Sequence, residues 1–367
     1  MKIATTTLVF CSAALLSLGM VILYSSKGSH FLLVQTLWAG LGLVGCLLAA
    51  SNDYRQLKKI SWFLLLVAIV LLVLVLIPKF GLRVKGARRW LYFGGQPSEL
   101  AKVALVIALA HYGERFQRQM PTFVRGLVIP LCIVGVVLGL IFVEPDRGTT
   151  ILLGFVSAAM LLIAGVRWRF ILPPVVIAIT VLAVSLSGDG MRSRRIYSWL
   201  HLEETKLGVG RQGYQAMVAL GSGGPTGLGL GNGRQKTGFI SEHHTDFIFS
   251  IVGEELGLIA TLSVLATFIL IVICGTFIAM RARDTFGLLL GSGLTFLIGI
   301  QAFINIGVVT SALPNKGMPL PFISYGGSNL VIILVSVGLL LSVARQAVPA
   351  AARSANPFQD NASPQTA

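Results

Sequence analysis

Residues 247–280 read "FIFSIVGEELGLIATLSVLATFILIVICGTFIAM", an apolar run long enough to cross a membrane, with Asp246 at its edge. A helix needs about 20 predominantly apolar residues to span the hydrocarbon core, so this run predicts a transmembrane helix. Asp246 then has two interpretations. In one, Thr245 or Asp246 caps the helix N-terminus, where a side-chain oxygen accepts a backbone N–H bond. In the other, a carboxylate at the membrane–water boundary is the base of an enzyme whose substrate is a lipid.

The chain as a whole has the composition of an integral membrane protein. Of its 367 residues, 55% are hydrophobic and only 12% are charged, whereas soluble domains average about 25% charged residues. We therefore predict an all-α, polytopic membrane protein with about ten transmembrane helices in a single domain, residues 1–345. The predicted windows are 5–24, 31–50, 60–78, 97–113, 126–143, 149–166, 170–187, 247–280, 287–311 and 327–345. Residues 346–367 are small, polar and proline-bearing, which predicts a disordered cytoplasmic tail.

The short basic loops set the orientation, because loops rich in Lys and Arg stay in the cytoplasm. They contain Arg55, Lys58 and Lys59; Arg115, Arg118 and Arg125; Arg167 and Arg169; and Arg281 and Arg283. This rule places both termini in the cytoplasm and a large loop, 188–246, outside, between helices 7 and 8. The loop after helix 3 is also predicted outside, although it carries Lys79, Arg83, Lys85, Arg88 and Arg89. Outward cations indicate an anionic ligand on that side; generic contact with lipid head groups is the alternative.

Two irregular segments contain many glycines or prolines. Residues 208–238 are dense in glycine but lack the G-x-x-x-x-G-K-[ST] pattern and its strand–turn–helix context, so nucleotide binding is excluded. Two readings remain for that segment: backbone N–H groups that approach a ligand, or a loop without a defined role. Residues 313–328, "LPNKGMPLPFISYGGS", predict a re-entrant loop that lines a site, because irregular backbone at membrane depth must be buried in protein or face a wet cavity.

Several ionisable residues fall within predicted helices, where they usually mark a functional site or a structural pair. Glu99 and Lys102 lie three residues apart on one helix face, as an ion pair would. Glu254 and Glu255 follow Asp246 by about two turns, and we expect each to pair with a Lys or Arg on another helix. A zinc site at the adjacent residues His243 and His244 is not expected. A divalent cation, Mg²⁺ or Mn²⁺, bound by Asp246 and a substrate phosphate is a candidate cofactor.

The chain resembles the SEDS family of shape, elongation, division and sporulation proteins in five ordered motifs. They are "GARRWLYFGGQPSELAK", "EPDRGTT", "GYQAMVALGSGGPTGLGLGNGRQKTGF", "HHTDFIFSIVGEELG" and "LPFISYGGS". The resemblance runs from about residue 80 to 345, and it is closer to the division branch than to the elongation branch. Ser241 departs from it, because proline is expected at that position.

This resemblance implies a ten-helix glycosyltransferase of the bacterial cytoplasmic membrane. The implied substrate is lipid II, the undecaprenyl-pyrophosphate-linked disaccharide pentapeptide, which is polymerised into peptidoglycan strands. The implied partner is a class B penicillin-binding protein, a transpeptidase. The family's essential loop aspartate falls on Asp246. The candidate substrate-binding residues are Arg88, Arg89, Glu99, Lys102, Lys236, His244, Ser324, Tyr325 and Ser328.

The chemistry of the residues agrees with this expectation. An acceptor hydroxyl must lose a proton as it attacks the donor's anomeric carbon, so one carboxylate is needed as general base. Pyrophosphate departs as an anion, which removes the need for the acid carboxyl of a glycoside hydrolase. Its charge needs cations or a metal, and arginine binds phosphate through paired hydrogen bonds. We therefore predict that Asp246 is the base, acting by direct proton abstraction or by holding a cation.

Three rival functions remain open at this stage. An elongation-type polymerase would share the same chemistry. A flippase for the same lipid-linked precursor would also use intramembrane charges and a broken segment, although no inverted repeat is detected. A scaffold that recruits the transpeptidase without catalysis predicts that Asp246→Ala retains all activity of the complex.

Overall fold

The computed structural model describes residues 1–84, 87–92, 94–187, 197–237 and 244–347, and most of them are helical. The helices are α1 (Lys2–Lys27), α2 (Ser29–Ser51), α3 (Leu57–Leu76), α4 (Pro97–Arg115), α5 (Ile129–Val143), α6 (Arg147–Ile163), α7 (Trp168–Ser187), α8 (Arg211–Ser222), α9 (Ile248–Met280), α10 (Thr285–Val309) and α11 (Gly327–Arg345). An antiparallel hairpin, β1 (Gly81–Val84) and β2 (Ala87–Leu91), lies between α3 and α4. Short 3₁₀ or π turns occupy Tyr54–Gln56, Gln117–Gln119, Val124–Val128 and Gln235–Thr237. The predicted all-α fold is confirmed.

The polytopic membrane character is confirmed as well. Within the described residues, seven helical segments are long and apolar enough to cross a membrane. Every predicted window coincides with a helix, but α4, α6 and α7 fall outside those seven. α4 carries too many charged residues, α6 has only 17 residues, and the part of α7 that counts is Trp168–Ile177. The count of ten spans therefore stays a prediction.

Small residues bring the helices of the bundle into direct contact. A β-carbon at Gly338 of α11 would overlap the carbonyl oxygen of Cys46 in α2, and one at Gly275 of α9 would overlap Oγ1 of Thr295 in α10. Such close approach is how helices associate in lipid, where no hydrophobic force draws them together. The charged helix α4 is buried along almost its whole length, so it forms the centre of the bundle.

The loops after α2, α4 and α9 meet at one end of the bundle. Nζ of Lys58 lies 2.7 Å from Oε1 of Glu114 and 2.9 Å from Oδ2 of Asp284. The hydroxyl of Thr285 donates to Oε1 of Gln117 at 3.1 Å. These are three of the four basic loops predicted to face the cytoplasm, so the structure places them on a common side.

Helix α9 is broken at Gly257, where the backbone turns to φ 79°, a conformation that favours glycine. The glycine-rich segment 223–233, here called the clamp loop, fills the break. Leu258 donates its backbone N–H to Gly224 at 2.9 Å, and Leu228 donates to the Glu254 carbonyl at 2.9 Å. The free N–H and C=O groups at the break are thus satisfied by the loop, as buried backbone groups must be.

The two glutamates before the break also bind this region. Oε1 of Glu254 accepts the backbone N–H of Arg234 at 2.7 Å. Glu255 accepts from Ser25 of α1 at 2.6 Å and pairs with Nζ of Lys236 at 2.5 Å. Two expectations change here. The ionic partner of Glu255 comes from a loop, not from another helix, and the glycine-rich segment directs N–H groups at protein carboxylates.

Some sequence-based predictions lie outside the described residues. They include the charged part of the long loop at 188–196, the position of Ser241, and Lys85 in the hairpin. The predicted disordered tail, 346–367, lies outside them from residue 348 onward. The helices from Lys2 to Arg345 pack around one continuous hydrophobic core.

Candidate active site

Asp246 lies directly before α9, at the end of the bundle opposite the basic loops. The helix begins at Ile248, and its N-cap position falls on Phe247, not on Thr245 or Asp246. The Asp246 carbonyl accepts the Nδ2 amide of Asn305 at 2.8 Å. The half-buried carboxylate touches the loop between α10 and α11, because a β-carbon at Gly317 would overlap its Oδ2.

The segment between α10 and α11, residues 310–326, is here called the inner loop. Its residues Met318, Leu320, Phe322 and Ile323 are buried, as predicted for a segment enclosed by protein. Two amides of α10 hold its backbone. Asn305 donates to the Met318 carbonyl at 2.6 Å, and Gln301 donates to the Pro319 carbonyl at 2.9 Å.

Three predicted site residues join the inner loop to the segment that carries Asp246. The hydroxyl of Ser324 donates to the Thr245 carbonyl at 2.5 Å, and the Tyr325 backbone N–H donates to the His244 carbonyl at 3.0 Å. The His244 and Tyr325 rings also lie 6.0 Å apart, between centroids. His244, Ser324 and Tyr325 therefore meet at Asp246, where they fix the backbone around it.

Glu99 and Lys102 form a buried ion pair under this site. Nζ of Lys102 lies 2.8 Å from Oε2 of Glu99 and donates to Oε1 of Gln301 at 3.0 Å. Asn329 of α11 donates to the same Glu99 oxygen at 3.0 Å. A buried pair is tolerated when further hydrogen bonds satisfy both ions, as they do here. Because Gln301 also holds the inner loop, the pair acts on the site through that loop.

The hairpin presents Arg88 and Arg89 in different ways. Arg88 lies opposite Arg83 across the two strands, whereas Arg89 is the extra residue of a β-bulge. A bulge redirects a side chain, and Arg89 reaches the corner between α5 and α6. There its Nε donates to the Glu144 carbonyl at 3.2 Å, and its Nη2 donates to the Pro145 carbonyl.

The corner between α5 and α6 contains two acids that the site prediction missed. Asp146 is buried and caps α6, where it accepts the Thr149 hydroxyl at 3.0 Å and the Gln96 amide at 3.2 Å. Glu144 is fully buried, and among the described residues neither oxygen of its carboxyl has a hydrogen-bond partner. Burial, with the nearby charge of Asp146, raises the pKa of Glu144 to about 8. The signal for both was the charged motif "EPDRGTT".

Lys316 of the inner loop was also missed. It is half-buried beside Gly317 and next to Arg147, the first residue of α6. Burial and the Arg147 charge lower the pKa of Lys316 to about 8, although Asp146 opposes this shift. The proline- and glycine-rich pattern predicted a site-lining loop, but nothing in that pattern distinguished this lysine.

The two remaining predicted residues have other partners. Lys236 pairs with Glu255 and donates from its Nζ to the Ser25 carbonyl at 2.9 Å, so it supports the helix break next to the clamp loop. Ser328 accepts the Gln96 N–H at 3.3 Å and lines a cavity of about 320 Å³ beside Glu99. Their roles as substrate ligands stay predictions.

Two further features bear on ligands. Among the described residues, no group of three His, Cys, Asp or Glu side chains converges as a metal site. Asp246 offers one carboxylate, which suffices for Mg²⁺ only when substrate phosphates supply further oxygen ligands. An apolar cleft of about 530 Å³ runs between α5, α6 and α7, and Phe142 and Thr150 line it near the Asp146 corner.

These features define the class of the protein. It is a polytopic helical membrane protein, and its candidate site lies at one end of the bundle, where the Asp246 carboxylate contacts the inner loop and Lys316 of that loop lies near Arg147. The comparisons narrow that class. The model of the FtsW, RodA and SpoVE family, described as cell cycle proteins, matches residues 3–348. The chain belongs to this family, which is the SEDS family.

Relatives in the family carry informative names. The probable peptidoglycan glycosyltransferase FtsW of Geobacter metallireducens is 41% identical over 345 residues, covering 90% of this chain and 92% of that protein. The protein of the same name from Coxiella burnetii is 34% identical, covering 92% and 95%.

Solved structures share the fold over nearly the whole chain. The rod shape determining protein RodA of Thermus thermophilus matches with a TM-score of 0.71 and 28% identity, covering 93% of this chain and 97% of that one. A chain from "Structural coordination of polymerization and crosslinking by a peptidoglycan synthase complex" matches with a TM-score of 0.79 and 27% identity, covering 92% and 96%.

Proposed function

We propose that this protein is a peptidoglycan glycosyltransferase of the FtsW type, which polymerises lipid II during cell division with Asp246 as its general base. The observation that carries the proposal is the position of Asp246. Its half-buried carboxylate contacts Gly317 of the inner loop. The preceding residue, Lys316, lies near Arg147. The names of the relatives in the FtsW branch support the same activity.

Asp246 is held as a base must be held. Its backbone is fixed by Asn305, and the preceding residues are bonded to Ser324 and Tyr325. Such support keeps a carboxylate within reach of one acceptor hydroxyl, and a positioned general base contributes roughly 10²- to 10⁴-fold in rate.

A lipid-linked pyrophosphate substrate suits the surroundings of the site. The paired Arg83 and Arg88 of the hairpin repel one another unless an anion lies between or near them. The apolar cleft between α5, α6 and α7 offers a surface for a hydrocarbon chain close to the Asp146 corner. The polar sugar–pyrophosphate part of the substrate and its lipid chain would thus bind to different parts of one site.

The proposal includes the location and the partner. Both termini and the basic loops face the cytoplasm, and Asp246 faces outward from the bacterial cytoplasmic membrane, because the loops after α2, α4 and α9 share the opposite end. A class B penicillin-binding protein is the partner, in keeping with the peptidoglycan synthase complex that shares this fold. Asp246, together with substrate phosphates, would hold a Mg²⁺ or Mn²⁺ ion, and such an ion would supply positive charge for the leaving group.

The test is lipid II polymerisation by the purified protein with its cognate class B partner, with the glycan products resolved by length. We expect strands from the wild type and none from a folded Asp246→Ala variant. Full activity of Asp246→Ala would favour the scaffold function. Absence of strands from both proteins, together with transport of lipid II into the outer leaflet of vesicles, would favour the flippase.

A further inference from the structure

One lysine of the inner loop, Lys316, has no role in the proposed proton transfer to Asp246. Lys316 directly precedes Gly317, the residue in contact with the Asp246 carboxylate. Although it is half-buried, its ammonium group forms no hydrogen bond or ion pair with any residue in the described part of the chain. The Lys316 ammonium is therefore available to a ligand that reaches the inner loop.

The neighbours of Lys316 make its position costly in the free protein. The charge of the Arg147 guanidinium helps to lower the pKa of Lys316, so two cations lie in one region. Asp146, the acid whose charge opposes this shift, is already bonded to Thr149 and Gln96. Neighbouring cations that share one engaged carboxylate are an arrangement that an anionic ligand would stabilise.

The backbone around this pair has the same polarity. Gly148, in the first turn of α6, packs against the inner loop, since a β-carbon there would lie 3.1 Å from the Met318 methyl carbon and 3.8 Å from the Gly317 carbonyl oxygen. The first N–H groups of a helix lack intrahelical acceptors and carry partial positive charge. The start of α6 therefore adds to the field of Lys316 and Arg147.

The second acid of the corner does not cancel this field at neutral pH. Glu144 is fully buried, and burial raises its pKa to about 8, so its carboxyl is mostly protonated at pH 7. Among the described residues, the charges near the corner are then those of Arg89, Arg147 and Lys316 against the carboxylate of Asp146, with the Asp246 carboxylate at Gly317. The corner is thus cationic, and it adjoins the loop that touches Asp246.

We propose that Lys316 is a pyrophosphate-binding residue of the polymerase reaction, which holds the leaving group beside the sugar that Asp246 serves. This inference rests on the proposed function. In the step, the acceptor hydroxyl oxygen bonds to the donor's anomeric carbon, and its proton passes to Asp246. The bond from that carbon to the pyrophosphate oxygen breaks, its electron pair stays on that oxygen, and the Lys316 ammonium stabilises the charge.

The test measures binding and turnover in the full-length protein. Binding is measured with geranylgeranyl pyrophosphate and with inorganic pyrophosphate, and turnover with lipid II. We expect Lys316→Met to weaken the binding of both probes roughly 10- to 100-fold, the loss typical of one hydrogen bond to a charged group. Lys316→Arg should recover most of it. Lys206→Met, which removes an exposed lysine stacked on Tyr214, is the matched control and should change neither.

The outcomes separate this inference from the proposed function. Unchanged binding of both probes by Lys316→Met, with unchanged KM for lipid II, would overturn the role of Lys316 and leave the polymerase intact. A loss confined to the lipid-linked probe would overturn it too, because the site would then recognise the chain and not the anion. Asp246→Asn should still bind pyrophosphate while it loses turnover. If that variant polymerises normally, the base assignment fails, and the Lys316 result stands by itself.

Discussion

At the scale of single residues, a glycine determines how Asp246, the proposed base, is presented. Gly317 lets the inner loop touch the Asp246 carboxylate, and any larger side chain there would displace one of the two. Lys316, the residue before it, is brought into the same region with Arg147. The proposed base and the proposed pyrophosphate ligand thus meet at one dipeptide, so the proposed chemistry depends on backbone that carries no reactive group.

The pH dependence of substrate binding tests that coupling. Lys316 has a pKa lowered to about 8, so it is charged below that pH and loses its charge above it. Glu144 ionises in the same range and adds a negative charge, so both changes weaken pyrophosphate binding. We expect KM for lipid II to rise above pH 8. Lys316→Arg should remove part of that rise, because arginine stays charged; an identical rise in both proteins would contradict the assignment.

Glu144 has a separate consequence for stability. Its folded pKa is raised from 4.5 to about 8, so its stabilising contribution is complete below pH 4.5 and is lost as the pH rises to 8. The largest loss is about 1.4 kcal/mol per pH unit. Glu144→Gln does not titrate, so we expect its thermal midpoint, relative to wild type, to increase from pH 5.5 to pH 8. A constant difference between the two proteins over that range would show that Glu144 is ionised throughout.

At the scale of elements, the broken helix α9 is the feature that positions the site. Its first part, from Ile248 to the break at Gly257, is short and follows directly after Asp246. The clamp loop bonds to the break, while Ser25 and Lys236 bind Glu255. The position of Asp246 along the bundle therefore depends on these distant contacts as well as on its local bonds to Asn305 and the inner loop.

Gly257→Ala tests whether the break in α9 and the clamp loop support Asp246. Alanine disfavours the positive φ at this position, and its β-carbon would overlap the backbone of Gly227. We expect a loss of about 1–3 kcal/mol in stability, visible as a lower thermal midpoint, and reduced polymerisation by the protein that remains folded. Gly135→Ala in α5 is the control, since it has open space and an ordinary helical position. Equal behaviour of the two variants would show that the break does not support Asp246.

At the scale of the whole molecule, the two ends of the bundle differ in chemistry. One end joins Lys58 to Glu114 and Asp284, while the other carries Asp246, the inner loop and the hairpin. Between them, α4 provides the buried pair of Glu99 and Lys102. This division matches an enzyme that works at one membrane surface and is anchored by the rest of its fold.

Labelling of single cysteines with a membrane-impermeant maleimide tests the orientation. Arg118→Cys and Arg283→Cys, at exposed positions in loops predicted cytoplasmic, should react only after the cells are opened. Lys206→Cys, exposed in the long loop, should react in intact spheroplasts. The background replaces the four native cysteines, of which Cys132 is exposed. Labelling of residue 118 from outside would invert the proposed topology.

The sequence predicted the fold well because hydropathy and helix length carry that information locally. It also singled out Asp246 and the inner loop, by a charge at an apolar edge and by the density of proline and glycine. It did not predict that Lys236 pairs with Glu255 at the break in α9, or that Lys316 lies near Asp146. Those pairings depend on how distant segments pack. The sequence around Lys236 and around Lys316 does not indicate which residue each of them approaches.

The most direct measurement of the central claim compares wild type and Asp246→Asn for lipid II affinity and for single-turnover bond formation. Asparagine keeps the size of the side chain but accepts a proton poorly. We predict an affinity within a few fold of wild type and a rate lower by roughly 10²- to 10⁴-fold. A variant that forms glycosidic bonds at the wild-type rate would contradict the account, because the proton of the acceptor hydroxyl would then go elsewhere.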